Sequence, residues 1–427
     1  MILTIVAGLF LFTVMVVSHE FGHFVAAKST GIGVIRFSIG LGPKLLGFRF
    51  KGTEYVISLF PLGGYVKMKG MELGEYKGEK DEFYSKSILV RSIVVLAGPF
   101  LNLILAFAIY FFSVCFFGID VIPGTSVDSL LEHPTLSQRV NKGDKIKQVN
   151  GIKVSNWYEI SQITQDSGDS LSFILMRKDS LFSLEIENNK KKGFPLVPLI
   201  EPIVGIVEKN SPAYDLGLKS GDLILSANGK QVQSFQDMRA EVIKNPEKEI
   251  ELEWSRAGKL IKGLVVPRKQ QASENGELKN IGFLGVAART EKLKLSFPAS
   301  LKEGTQRTAY SVKLIVSVIV MLFRRQISPK TLGGPISIFQ LAGESARWGF
   351  DFYLGFMALL SINLFILNLI PFPPLDGGHI LLFVIEIITK KRPTEKQLQW
   401  ILQIGFMILL LLIAYVFYND IMRLRNH

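Results

Sequence analysis

Four stretches of this chain stay apolar over about the 20 residues a helix needs to cross a bilayer. They are residues 2–27, 92–117, 352–372 and 400–418, and each predicts a transmembrane helix, the third expected to run on to 375, with a loop at 376–399 and a tail from 419. A fifth apolar run, 314–323, is only ten residues long and lies between Lys313 and the pair Arg324-Arg325. That length predicts a packed or surface-lying helix rather than a span. The polar segments orient the spans. Lys28, Arg36, Lys44, Arg49, Lys51, Lys67 and Lys69 lie between the first two, and Lys390, Lys391, Arg392 and Lys396 between the last two. Cationic loops stay on the cytoplasmic side, so both termini and the long insert between spans two and three are expected outside.

The first cytoplasmic loop, 28–91, is more than a linker. Residues 34–43 and 54–66 are rich in β-formers punctuated by Gly and Pro, the pattern of a hairpin or small sheet. Its apolarity suggests that it dips into the membrane boundary, where non-helical backbone must pair internally or line a wet cavity.

The outer insert repeats itself. Lys142-Gly143-Asp144-Lys145-Ile146, leading to Val149-Asn150-Gly151, recurs as Ser220-Gly221-Asp222-Leu223-Ile224, leading to Ala227-Asn228-Gly229, at a period of 78 residues. Gly-Asp followed by an Asn-Gly turn resembles the core of a PDZ domain. In the second copy Asn210-Ser211-Pro212-Ala213 strengthens the likeness. Two mixed α/β modules are expected at 118–199 and 200–289, followed by a helical region, 290–351, that returns to the membrane. PDZ domains bind extended peptides by strand addition; no clear carboxylate-binding loop is present, and a purely steric role is the alternative.

Composition agrees with this layout. Hydrophobic residues make up 48% of the 427, with 31 Phe, which indicates a membrane protein. The net charge of +12 lacks any accompanying aromatic-plus-Arg cassette or zinc-knuckle spacing, so it fits basic loops at a membrane surface and argues against nucleic acid. The single cysteine, Cys115, can form no intrachain disulfide. Val25-Ala26-Ala27 resembles a signal-peptide cleavage site, but no basic segment precedes the apolar run, so the first span is expected to be retained.

Chemistry enters at His19-Glu20-Phe21-Gly22-His23, an HExxH motif near the end of the first span. Residues at i and i+4 share a helix face, so His19 and His23 can grip one Zn²⁺ while Glu20 stays free as a base. Residues 1–17 carry no charge, and ionisable groups placed in such a segment are costly and usually functional. A second polar cluster runs from Asn368 to His379, where Pro371, Pro373 and Pro374 forbid a continuing helix. Asp376 lies at the inner end of the third span, as the HExxH motif does of the first. Asp-Gly is by default a turn; here two His, one carboxylate and an open position for water would make a catalytic zinc site. His379 as a fourth ligand would close that position, so a supporting role is expected for it. His133 and His427 are assigned nothing.

Together these motifs resemble the site-2 protease family, in its bacterial type that regulates the sigma-E response. The likeness rests on HExxH at a first span, Asn368-x-x-Pro371-x-Pro373-x-Leu375-Asp376-Gly377 at a later one, the Pro61-Leu62-Gly63-Gly64-Tyr65-Val66 loop, Gly333-Gly334-Pro335 and the tandem modules. Pro374 departs from the family pattern. The resemblance implies a polytopic α-helical membrane protein of the bacterial inner membrane, with four transmembrane helices, a membrane-associated hairpin or sheet and two extracytoplasmic PDZ domains. His19, His23 and Asp376 match the zinc ligands, Glu20 the catalytic glutamate, and Asn368, Pro371 and Pro373 a substrate-holding segment. The implied substrate is a single-span anti-sigma factor already trimmed on its outer side, or a leftover signal peptide. Two rivals are a non-catalytic membrane scaffold with peptide-binding PDZ domains, which has no need of Glu20, and an ion transporter, for which no inverted repeat of spans exists.

Overall fold

The computed structural model describes residues 2–72, 74–130, 140–187, 196–274, 277–329 and 333–425. Its helical part, within Met1–Phe116 and Leu295–His427, and its β-rich part, within Phe117–Glu274 and Leu278–Lys294, are separate compact units. His133 and His427 lie outside the described residues.

Helix α1 (Ile2–Ser29) holds the HExxH motif in its second half. The predicted hairpin follows as β1 (Val34–Phe50) and β2 (Thr53–Met68). These long strands fold back on themselves. Val34 to Ile39 pairs antiparallel with Met68 to Gly64 while also lying beside Glu54 to Ile57, and Lys44 to Phe50 pairs with Ser58 to Thr53. Helix α2 (Ile88–Phe117) begins earlier than its apolar run because Ser87 caps it, accepting from the Val90 N–H, which brings Arg91 into the helix.

The β-rich unit opens with β3 (Ile119–Val121) and β4 (Val127–Leu130). The first module continues through β5 (Lys145–Val149), β6 (Ile152–Lys153), α3 (Trp157–Asp166), β7 (Ser170–Arg177), β8 (Ser180–Glu187) and β9 (Leu196–Pro198). The second runs through β10 (Val204–Val207), α4 (Pro212–Asp215), β11 (Leu223–Ala227), β12 (Lys230–Gln231), α5 (Phe235–Lys244), β13 (Ile250–Arg256) and β14 (Lys259–Val265). The sheets β6-β5-β7-β8 and β12-β11-β13-β14 have the same order, so the sequence repeat is a structural one. The repeated residues explain themselves. Asn150-Gly151 and Asn228-Gly229 all have positive φ, as two-residue hairpin turns of the favoured type require. Asp144 and Asp222 are buried, accept from the backbone N–H three residues earlier, and grip Arg177 and Arg256 bidentately at 2.7–2.8 Å. The hairpin β15 (Arg268–Glu274) with β16 (Glu277–Phe283) and the strand β17 (Val286–Ala288) precede β18 (Glu291–Leu293), which pairs with β3 and closes the unit where the chain came in.

The chain returns as α6 (Phe297–Phe323), α7 (Pro335–Trp348), α8 (Phe350–Leu369), α9 (Asp376–Thr389) and α10 (Glu395–Arg425). Among the described residues α1, α2, α6, α8 and α10 are long and apolar enough to cross a membrane. Helix α6 differs from the short segment expected at 314–323, because its helix starts 17 residues earlier, through Lys302, Glu303, Arg307 and Lys313. Three further expectations are corrected. The third span does not reach residue 375: Ile370 takes ψ 131° ahead of Pro371 and ends α8 at Leu369. The expected loop 376–399 begins instead as α9, because the apolar run Ile380 to Ile388 follows directly once the prolines have passed. The expected tail from residue 419 is a continuation of α10, where Asp420 is buried and accepts from the Gly334 and Ser337 N–H groups at the start of α7.

Tyr353 of α8 donates to the Ala7 carbonyl at 2.7 Å, and Ser361 to the Asn102 carbonyl at 2.8 Å, tying α8 to α1 and α2. Ala7, Leu11, Met15, Ala342 and Met357 pack around the first bond.

Candidate metal centre

The two histidines and the distant aspartate meet. His19 Nε2 stands 3.2 Å from Asp376 Oδ2, His23 Nε2 3.5 Å from Asp376 Oδ1, and the two Nε2 atoms 3.2 Å from each other. Both histidines are buried and Asp376 is largely so. Among the described residues they are the one cluster of three such groups with the spacing to hold a metal ion. The donor set suits zinc, whose N and O ligands at about 2.0–2.1 Å in a tetrahedron lie roughly 3.3–3.4 Å apart.

Local structure supplies each donor. The helical i, i+4 spacing stacks the histidines on one face of α1. Asp376 is the first residue of α9, delivered by the proline-rich break, where the Pro373–Pro374 peptide is cis. His23 Nδ1 sits 2.9 Å from the Val94 carbonyl of α2, so Nδ1 carries the proton and Nε2 keeps its lone pair for a cation. Gly98, one turn further along α2, is required for close approach: a Cβ there would fall 2.3 Å from His23 Nε2. The Glu20 carboxylate accepts from the Val66 backbone of β2, and its Cγ would lie 3.4 Å from a Cβ at Gly64.

A family model described as peptidase family M50 matches residues 7–412. The regulator of sigma-E protease RseP of Escherichia coli is 33% identical over 439 residues, 96% of each chain, and that of Salmonella typhimurium 33% over 442 with the same coverage. A Pasteurella multocida protein named as a zinc metalloprotease is 35% identical over 438 residues, 96% of this chain and 97% of its own. Among solved structures, the PDZ domain of an SdrC-like protein from Listeria monocytogenes aligns with 20% of this chain and 88% of its own at 20% identity and a TM-score of 0.16.

The chain belongs to peptidase family M50, the site-2 proteases. It is a zinc metalloprotease with several apolar helices that suit a membrane. Of the substrate-holding candidates of this M50 chain, Asn368 occupies the last turn of α8, and Pro371 and Pro373 the break that follows. The Pro373 carbonyl abuts Gly405 of α10, where a Cβ would lie 2.0 Å away. His379 stays outside the three-residue cluster and lines a neighbouring cavity of about 210 Å³ with Arg91, Tyr84, Phe383 and Glu386.

Sequence reasoning missed what α2 does. Arg91 is 1% exposed, pairs bidentately with Glu386 of α9 at 2.8 and 3.0 Å, and lies over the Tyr84 and Phe383 rings. That pair ties α2 to the helix that begins with Asp376. Arg91, Val94, Gly98 and Asn102 recur at helical spacing, and a charged residue leading an apolar run was the available signal.

Proposed function

We propose that this M50 protease hydrolyses a peptide bond in or near the transmembrane segment of single-span membrane proteins, in regulated intramembrane proteolysis. The observation that carries the reading is Glu20, a carboxylate beside two imidazoles that face a third donor from a distant helix start. In this reading His19, His23 and Asp376 hold the zinc. When bound, zinc supplies Lewis acidity that polarises a carbonyl and acidifies water. Glu20 takes the proton of the attacking water and hands it to the leaving amine. The site is set among apolar helices, which keeps bulk water away.

A transmembrane helix hides its carbonyls in internal hydrogen bonds, so the substrate must be unwound before it is cut. The open segment Asn368 to Pro374 and the edge of the β1–β2 sheet, whose Gly64 and Val66 approach Glu20, are the proposed holders of the extended strand. The relatives are named as regulators of sigma-E; in this reading the substrates are anti-sigma factors after outer trimming, with leftover signal peptides as a second group.

In this reading the chain crosses the bacterial inner membrane four times, by α1, α2, α8 and α10. His19, His23 and Asp376 then share the cytoplasmic side, which needs an even number of crossings between α2 and α8. Helix α7, at 14 residues, is too short to supply one, so α6 does not cross. The two repeated modules are PDZ domains on the outer side that exclude uncut proteins with bulky outer domains. The test is cleavage of a model single-span substrate in detergent by wild type and Glu20→Gln, with and without a chelator. Loss of cleavage in both the variant and the chelated enzyme is expected; a variant that cuts as well as wild type overturns the reading.

A further inference from the structure

The α2 helix presents three residues, four apart, to the two histidines. The Val94 carbonyl accepts from His23 Nδ1–H, Gly98 makes room for the His23 ring, and Asn102 reaches His19. Asn102 is fully buried. Its Nδ2 lies 3.4 Å from His19 Nδ1, and its Oδ1 has no hydrogen-bond partner among the described residues. A buried amide oxygen without a donor is costly and uncommon.

One rotation gives the oxygen a donor. His19 Nε2 faces Asp376 and His23, so a cation there takes its lone pair and Nδ1 carries the proton. Nδ1–H needs an acceptor, and an NH₂ group opposite it is the wrong partner. The two ends of an amide are interchangeable by a half-turn. Turned over, Asn102 places Oδ1 against Nδ1–H, and the orphaned oxygen gains the donor it lacks. His23 already shows the same arrangement with the Val94 carbonyl, so both rings are held from one helix.

We infer that Asn102 is a positioning residue whose side-chain carbonyl accepts the His19 Nδ1 proton, fixing the tautomer and orientation that offer Nε2 to zinc. This rests on His19 being a zinc ligand. The α8 helix holds Asn102 in turn, since Ser361 donates to its backbone carbonyl at 2.8 Å. Partners of this kind typically change metal affinity by about 10–100-fold.

The test is the apparent zinc affinity of the full-length protein in detergent, by competition with a chromophoric chelator. N102L keeps the shape but cannot accept, and is expected to bind zinc about 10–100-fold more weakly, while N102D accepts and is expected to stay at or above wild-type affinity. A purely structural role would instead lower the melting temperature of both apo variants and leave zinc affinity in place. If N102L cannot be recovered folded, N102S, whose hydroxyl is too short to reach, must show the weakening. N102L or N102S binding zinc as wild type does overturns the inference. H19A separates the two levels: zinc retained by H19A defeats the ligand assignment itself, whereas zinc lost by H19A but kept by N102L defeats only the role of Asn102.

Discussion

Asp376 Oδ2 lies 3.2 Å from His19 Nε2, although the two residues come from opposite ends of the chain. The contact depends on α2, which braces both. Its Val94 and Gly98 back His23, and its Arg91 grips the helix that Asp376 begins.

Arg91→Leu is therefore expected to unfold the helical unit more easily, because Glu386, 11% exposed, would keep a buried charge with only the outer Arg392 to answer it. Breaking a fully buried pair from one side costs about 3–5 kcal/mol, and less here because Arg392 still pairs with Glu386. The double variant Arg91→Leu/Glu386→Leu should recover most of that loss. Thermal inactivation in detergent measures both, and a single variant as stable as wild type would contradict the bracing role.

The two repeated modules should weaken in acid for a specific reason. Burial works against the charge of Asp222, but the Arg256 guanidinium and the Lys219 N–H outweigh it and hold the carboxyl below the usual range. Asp144 is held down in the same way by Arg177, against its own burial. Groups depressed in the folded state add stability above the unfolded pKa of about 3.9 and lose it as pH falls through the lower folded value. Protection of the β11 and β13 amides from exchange is expected to drop below about pH 4. Asp222→Asn should remove this component of the pH dependence and cost about 1–2 kcal/mol at pH 7, reduced because a third of the Arg256 side chain is exposed.

Removal of the modules is structurally simple. Strands β3 and β18 pair, and a Cβ on Gly118 would lie 2.5 Å from the Leu293 carbonyl, so deleting residues 119–293 joins neighbouring ends. If the modules act as a size filter, the shortened enzyme is expected to cut an untrimmed single-span substrate as fast as a trimmed one. Continued dependence on trimming, measured as the ratio of the two cleavage rates, would rule the filter out.

Much of the centre was legible in the sequence because its signals are local. HExxH states its own helical geometry, and three prolines before Asp376 announce a break. The repeated Gly-Asp and Asn-Gly pairs encode turns and an ion pair on a buried aspartate within single modules. The contributions of Arg91 and Asn102 were not legible, because their meaning lies in partners such as Glu386 and His19 on other helices. Helix α9 was missed because charged loop residues beyond it drew the boundary, while the Ile380 to Ile388 run that makes it helical is too short to read as a span.

The central claim is that one zinc, held by residues from two distant helices and served by Glu20, performs the cleavage. Metal content and cleavage of a single-span substrate, measured together on purified Glu20→Gln and Asp376→Ala, test it most directly. Glu20→Gln is expected to retain about one zinc per chain while cutting at least ~100-fold more slowly, and Asp376→Ala to lose both zinc and cleavage. Asp376→Ala that keeps its zinc and still cuts the substrate would contradict the account.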